Sequence, residues 1–307
     1  MTTQTLDLPD VDLVYDVHTP DTTTRGHRPL FMIGQPMCAD GFGALASYFP
    51  DRTVITYDPR GLGRSVRRDG RTDSVPEVQA ADVRAVVDAL GAGPVDMFAS
   101  SGGAVTALAL VAAYPGTVAT LVAHEPPLVP LLPDAEAAAR AMAACQEAYR
   151  KNGWGAGMAA FVAMTSWRGE FTDDYFARPA PDPAAFGMPV EDDGSRDDPL
   201  LSERSAAVIR YRPDVDALRA TRTRLVIAVG EESADTFTGR TSVATAELLG
   251  GRPAIFPSHH GGFVGGEGDY AGQPEAFARR LREILDGPGS TGVAGTQTRR
   301  SSETITG

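Results

Sequence analysis

Short apolar runs suited to strands alternate with segments of helical periodicity along much of this chain. Strands are predicted over Val11–His18, Thr53–Tyr57 and Val95–Phe98, where β-branched and apolar residues cluster. The helix predicted over Pro76–Leu90 begins with proline and ends at Gly91, as helices commonly do. Strands separated by helices favour an α/β fold, a doubly wound, mostly parallel sheet with helices on both faces.

The helix predicted over Ser101–Tyr114 is apolar on almost every face. A helix of this kind is buried, so we expect it to pack directly against the sheet. The same alternation accounts for the other elements of the core. Strands are also predicted over Pro29–Gly34, Thr117–Ala123, Arg224–Gly230 and Pro253–Phe256, and helices over Asp40–Phe49, Thr241–Leu249 and Pro274–Leu285.

The alternation stops between residues 126 and 220, where no strand pattern is found. Helices are predicted there over Asp134–Lys151, Ala156–Ser166 and Leu200–Arg210, with a loop over 177–198. A helical insertion over 126–220 within a core formed by 1–125 and 221–287 is the simplest division of the chain. Residues 288–307 are rich in Gly, Ser and Thr without apolar periodicity, which predicts a disordered tail.

The composition of the chain disfavours several classes of binding partner. The 307 residues include 28 Lys and Arg against 40 Asp and Glu, a formal charge of −12, which disfavours nucleic acid and anionic membranes. The two cysteines, Cys38 and Cys145, are too few for a disulfide framework or a cysteine-based zinc site, and we expect no metal or cofactor. Without a signal-peptide pattern or an apolar run of about 18 residues, we expect a cytoplasmic protein with a small-molecule substrate. The sequence leaves open a monomer or a homodimer.

A serine motif stands where the strand at Val95–Phe98 leads into the next helix, and it reads Ala99-Ser-Ser-Gly-Gly103. Small residues two positions before and after Ser101 permit a sharp turn that lifts a serine off the sheet edge. Amides at a helix N-terminus also favour developing negative charge there. From the residues alone, the alternative is that Ser100 or Ser101 only caps the helix.

A serine nucleophile needs a base, and the chain has five histidines. They are His18, His27, His124, His259 and His260. Only the last two follow the final predicted strand, in a glycine-containing loop. Loops at the carboxyl ends of the strands of a doubly wound sheet share one crevice, so this pair is expected near Ser101. From the residues alone, one of the two is expected to be a solvated loop histidine.

These features together resemble the α/β-hydrolase fold family. The matching segments are Gly34-Gln-Pro36, Asp58-Pro-Arg-Gly-Leu-Gly-Arg-Ser65, the serine motif and Ser258-His-His-Gly-Gly262. The resemblance implies that Ser101 is the nucleophile, that His260 is the base, and that the backbone amides of Gln35 and Gly102 form the oxyanion hole. The Gln35 side chain could add a further donor, and the insertion is implied to be a cap over the active site. The sequence departs from the family pattern at Ile33, a histidine in the family, and at Ala99, a glycine there.

The third member of the triad has alternative positions. In the family, the acid usually stands three residues after the glycine that ends the next strand, but here that residue is Ser233. Glu232 and Asp235 are the neighbouring carboxylates. Parts of the family use instead the end of the strand after the nucleophile helix, where this chain has Glu125. We favour Glu125, because a carboxylate at a buried strand end needs a partner. The alternative is a structural residue at the hinge of the insertion.

The expected function is therefore hydrolysis through an acyl enzyme, without metal or cofactor. The expected substrate is a small or medium, largely uncharged ester, lactone, thioester or β-diketone. A serine rather than an aspartate at the motif argues against epoxide hydrolase and dehalogenase chemistry in the families that this chain resembles. The alternative is a cyclase, lyase or ligand-binding protein of the same fold that does not hydrolyse its ligand.

Overall fold

A mixed sheet forms the centre of the computed structural model, which describes residues 1–20, 27–267 and 271–287. Its strands are β1 (Thr2–Leu8), β2 (Val11–His18), β3 (Leu30–Ile33), β4 (Val54–Tyr57), β5 (Val66–Arg67), β6 (Val95–Ser100), β7 (Val118–His124), β8 (Arg224–Gly230) and β9 (Ala254–Phe256). Their order is β1-β2-β4-β3-β6-β7-β8-β9, with β5 beside β2. The pairs that β2 makes with β1, β4 and β5 are antiparallel, and every other pair is parallel.

The helices of the described part lie on both faces of the sheet or in the insertion. They are α1 (Gly43–Ser47), α2 (Pro76–Leu90), α3 (Gly102–Ala113), α4 (Ala135–Thr165), α5 (Asp173–Phe176), α6 (Ala206–Ile209), α7 (Val215–Ala220), α8 (Phe237–Leu248) and α9 (Pro274–Leu285). None of them has the length and hydropathy of a membrane-spanning helix. The doubly wound α/β class and its mostly parallel sheet are confirmed.

Burial explains why each helix takes its place. In α9 the buried residues Phe277, Leu281 and Ile284 recur at helical spacing, so one stripe of the helix faces the sheet. It packs with α1 on one face, around a cluster that contains Phe98 and Phe263. On the other face, α2 and α3 pack against the strands. Each such large side chain contributes about 1.5–3 kcal/mol when fully buried.

The register of the parallel strands brings the ends that carry the motifs to one edge. Ile33 pairs with Ala99, Ser100 with His124, and His124 with Ala228. The residues that follow β3, β6, β7 and β8 therefore leave the sheet side by side. This is the edge at which open α/β sheets bind ligands.

The helices predicted over Asp134–Lys151 and Ala156–Ser166 are confirmed as the two halves of α4, which a kink at Gly153, whose φ is 84°, separates. Two other element predictions needed correction. The helix predicted over Leu200–Arg210 is reduced to a 3₁₀ turn and the one-turn helix α6. Strand β1 was not predicted, because most of its residues are polar and exposed.

The insertion has a small apolar core of its own. All residues between 126 and 220 are described, and none of the named strands lies there. Met142 and Cys145 pack with Met164 across the two halves of α4, and Phe237 at the start of α8 joins this cluster. The bounds of the core and the insertion remain a prediction, and the predicted tail lies outside the described residues.

Candidate active site

Ser101 occupies a strained turn between β6 and α3. Its φ is 56° and its ψ is −129°, a conformation that a residue with a side chain adopts at a cost of about 1–3 kcal/mol. Its backbone N–H donates to the carbonyl of His124 across 2.9 Å. The residue is partly exposed, whereas the helix that follows is buried from Gly102 to Val111. The turn thus presents a serine at a helix N-terminus, as the sequence motif predicts.

The start of α3 lies against the loop that follows β3. A methyl group added to Gly102 would lie 2.9 Å from the Gln35 carbonyl oxygen, and one added to Gly103 would lie 2.7 Å from the Gly34 Cα. Both distances are shorter than ordinary carbon contacts. The glycines therefore allow the two backbone segments to meet, and they bring Gln35 and Gly102 together beside Ser101.

The Gln35 side chain is held within the protein. Its Nε2 donates to Ser74 Oγ at 2.8 Å, and its Oε1 accepts from Gln79 Nε2 at 3.2 Å. Gln79 in turn accepts from Thr106 Oγ1 at 2.9 Å, which ties this loop to the nucleophile helix. These bonds use the amide oxygen and one of the two N–H groups of Nε2, so a further donor from this side chain to substrate stays a prediction.

Glu125 follows directly after β7, in a left-handed conformation with a φ of 48°. The residue is fully buried. One carboxylate oxygen, Oε2, lies 2.7 Å from His260 Nδ1 and accepts from Thr238 Oγ1. The other, Oε1, accepts from the Gly230 N–H at 2.9 Å. Burial raises the pKa of Glu125, but the hydrogen bond to His260 and the charge of that ring outweigh it and hold the pKa below its ordinary value.

His260 lies in the turn after β9. The preceding Ser258 has a φ of 69°, and its carbonyl accepts from the Glu232 N–H at 3.1 Å, which fixes the turn next to the end of β8. The His260 side chain is 34% exposed, although its Nδ1 faces Glu125. This orientation leaves Nε2 as the ring atom for a nucleophile or leaving group. The neighbouring His259 directs its Nδ1 at the Gly261 N–H instead.

The alternative acids lie apart from this contact. Glu232 and Asp235 are both exposed. The backbone carbonyl of Glu232 accepts from the Arg168 guanidinium, and that of Asp235 accepts from the Gly169 N–H. In the described part of the chain, neither carboxylate is paired with His260. The structure pairs His260 with Glu125 and bonds the turn of Ser101 to the residue before Glu125. The catalytic roles of these three residues remain predictions.

One residue at this site was given no role in the sequence analysis. His124, the last residue of β7, is fully buried and its ring lies nearly parallel to that of His260. A histidine placed directly before the candidate acid, at the end of an apolar strand, is the signal that could have identified it. Among the described residues, no group of three or more His, Cys, Asp or Glu side chains is arranged to hold a metal ion.

The fold of this chain is similar to those of several known proteins. A family model described as the alpha/beta hydrolase fold matches residues 32–150. The proline iminopeptidase of Mycobacterium smegmatis superposes over 93% of this chain and 98% of its own, with a TM-score of 0.60 at 19% identity. The chain has the α/β-hydrolase fold. Among other solved structures, the enol-lactonase of Burkholderia xenovorans LB400 has a TM-score of 0.59 at 15% identity, covering 92% of this chain and 100% of its own. A putative aryl esterase of Burkholderia cenocepacia has a TM-score of 0.61 at 20% identity, covering 93% and 98%.

A curated relative is more similar in sequence over a shorter stretch. The uncharacterized hydrolase YraK of Bacillus subtilis (strain 168) is 31% identical over 131 residues, which are 42% of this chain and 46% of that protein. The match therefore spans about half the length of that relative. These comparisons confirm the predicted α/β-hydrolase fold, and they agree with the prediction of an α/β-hydrolase enzyme.

Proposed function

We propose that this α/β hydrolase is a serine hydrolase that cleaves an acyl substrate through an acyl enzyme. The hydrogen bond of 2.7 Å between the buried Glu125 carboxylate and His260 Nδ1 carries the proposal. It joins a carboxylate to a partly exposed imidazole, and the residue before Glu125 is bonded to the strained turn of Ser101. Acid, base and nucleophile of this kind form the triad of serine hydrolases.

Each group has a defined part in the reaction. His260 Nε2 takes the proton of Ser101 as its Oγ attacks the substrate carbonyl carbon, and Glu125 stabilises the imidazolium that forms. The N–H groups of Gln35 and Gly102 stabilise the oxyanion. The imidazolium then gives its proton to the leaving group, which departs as the acyl enzyme forms. Water, deprotonated by His260, attacks the acyl enzyme and releases the acid and the free serine.

The proposed substrate is a small or medium, largely uncharged ester or lactone. We propose that the insertion over 126–220 acts as a cap on the active site and excludes water from it. The formal charge of −12 disfavours an anionic substrate. The named activities of the enol-lactonase and of the putative aryl esterase support aryl esters and lactones as the first compounds to test.

The proposal is tested with a panel of aryl esters and lactones of increasing acyl length. The wild-type protein is expected to hydrolyse part of the panel, and Ser101→Ala is expected to lose about 10⁶ in kcat. Ser100→Ala, at the adjacent serine, is the matched control and is expected to lose less than about tenfold. If turnover survives Ser101→Ala but is lost in Ser100→Ala, the nucleophile is Ser100 and the assignment to Ser101 is wrong. A folded wild-type protein that hydrolyses none of the panel would favour the non-hydrolytic alternative.

A further inference from the structure

His124 lies in the core directly beneath the proposed triad. It is the last residue of β7, it is fully buried, and its ring centroid lies 6.0 Å from that of His260 with 25° between the planes. Aromatic rings cover the rest of it. These are Phe98 from β6, Phe256 from β9, Phe263 from the loop after β9, and Phe277 from α9. A polar ring in such a place needs a reason, because burying a polar group without compensation costs free energy.

The two ring nitrogens of His124 face different groups. Its Nδ1 lies 3.1 Å from Ser100 Oγ, within hydrogen-bond distance. Its Nε2 lies 3.7 Å from Glu125 Oε1 and has no hydrogen bond to any described residue. The titratable groups that act on this ring are Glu125 and His260, since the other elements packed against it present phenylalanines and Ser100.

The ring is neutral near pH 7. Burial lowers the pKa of His124 to about 4, although the charge of Glu125 opposes the change. A neutral imidazole carries one N–H, so one of its two nitrogens is an acceptor. If Nδ1 held the proton, the lone pair of Nε2 would face the Glu125 carboxylate, which is unfavourable. If Nε2 holds it, Nδ1 accepts from the Ser100 hydroxyl and the N–H points towards the carboxylate.

We propose that His124 is a positioning residue for the proposed reaction, a neutral ring whose Nε2–H orients the Glu125 carboxylate towards His260. The inference rests on the proposed function for its catalytic consequence. Oε1 then accepts from the Gly230 N–H and faces the partial positive charge of the His124 N–H across 3.7 Å, while Oε2 is directed at His260 Nδ1. With the carboxylate held on both sides, the base keeps the orientation that proton transfer from Ser101 requires.

Two substitutions separate this role from simple packing. His124→Phe keeps an aromatic ring of similar shape but removes the donor, and we expect it to lower kcat about tenfold with KM changed less than twofold. His124→Gln places an amide donor the same number of bonds from Cβ as Nε2, and we expect kcat within about threefold of wild type. The rate at which a fluorophosphonate labels Ser101 is expected to stay near the wild-type rate in His124→Gln and to fall in His124→Phe. Equal losses in the two variants would overturn the inference.

A spectroscopic measurement on the wild-type protein tests the inference without any variant and without an assay of activity. With ¹⁵N-labelled histidine, the nitrogen shifts of His124 are expected to show a neutral ring protonated at Nε2 between pH 6 and pH 8. A ring protonated at Nδ1, or at both nitrogens, would overturn the inference. If the wild-type protein neither turns over esters nor labels at Ser101, the proposed function fails, and the tautomer of His124 is still decided by its spectrum.

Discussion

Acidification should reveal the buried histidine as a source of lost stability. The His124 ring has a pKa of about 4 in the folded protein, against an ordinary value of 6.5. Because the folded value is the lower one, the unfolded chain takes up a proton first as the pH falls. His124 therefore costs no stability above pH 6.5, and stability is lost progressively as the pH falls from 6.5 towards 4.

The size of this loss follows from the two pKa values. They differ by about 2.5, and each pKa unit corresponds to about 1.36 kcal/mol, so the full effect is about 3.4 kcal/mol. At pH 4.5, where the folded ring is partly protonated, the loss is about 2.5 kcal/mol by the same linkage relation. The ring is completely buried, so solvent screening reduces this value little.

The assay is urea unfolding followed by circular dichroism at pH 7 and pH 4.5. The free energy of unfolding of His124→Gln is expected to fall between these two pH values by about 2.5 kcal/mol less than that of the wild type. Phe98→Leu, which loosens the same cluster without removing a titratable group, is the matched control and should keep the wild-type difference. If His124→Gln and the wild type lose the same free energy on acidification, the ring is not a buried neutral base and the reasoning is wrong.

Five further substitutions test other parts of the structure. Glu125→Gln is expected to lower kcat about 10⁴-fold and Asp235→Asn less than about tenfold in the same ester assay; the reverse order would place the acid in the loop after β8. In urea unfolding, Gly103→Ala should lower the free energy of unfolding by about 3 kcal/mol, because its methyl group would meet backbone atoms at 2.7 Å. The control Gly43→Ala has no atom within 4 Å of its added methyl group, so it should be neutral or slightly stabilising. Asp82→Ala should lower the free energy of unfolding by about 3–5 kcal/mol, because it removes the carboxylate that lies 2.5 Å from the buried Arg60 guanidinium. A loss below about 1 kcal/mol would contradict this.

Local patterns were sufficient to predict the core elements of the sheet. The bounds of β2, β8, α2 and α9 agree with those predicted, because apolar periodicity, proline at a first helical position and glycine after the last one act within a few residues. Ser101 was singled out for the same reason, since its turn depends on its immediate neighbours. The strained φ of 56° that accompanies it is a local property of that turn.

Features that depend on distant partners could not be predicted in this way. Strand β1 has few apolar residues, and it is a strand because β2 supplies its hydrogen bonds. The Gln35 side chain is occupied by Gln79 and Ser74, which lie 44 and 39 residues away. The surroundings of His124 come from β6, β9 and α9, so no window around that residue reveals them.

The most direct test of the account is the covalent labelling of the nucleophile. The wild-type protein is incubated with a fluorophosphonate at pH 7.5, digested, and the modified peptide is identified by mass spectrometry. A serine activated by His260 and Glu125 is expected to give one adduct, on Ser101, with none in Ser101→Ala and a much slower reaction in Glu125→Gln. An adduct on Ser100, or equal labelling rates in the wild type and Glu125→Gln, would contradict the proposed triad.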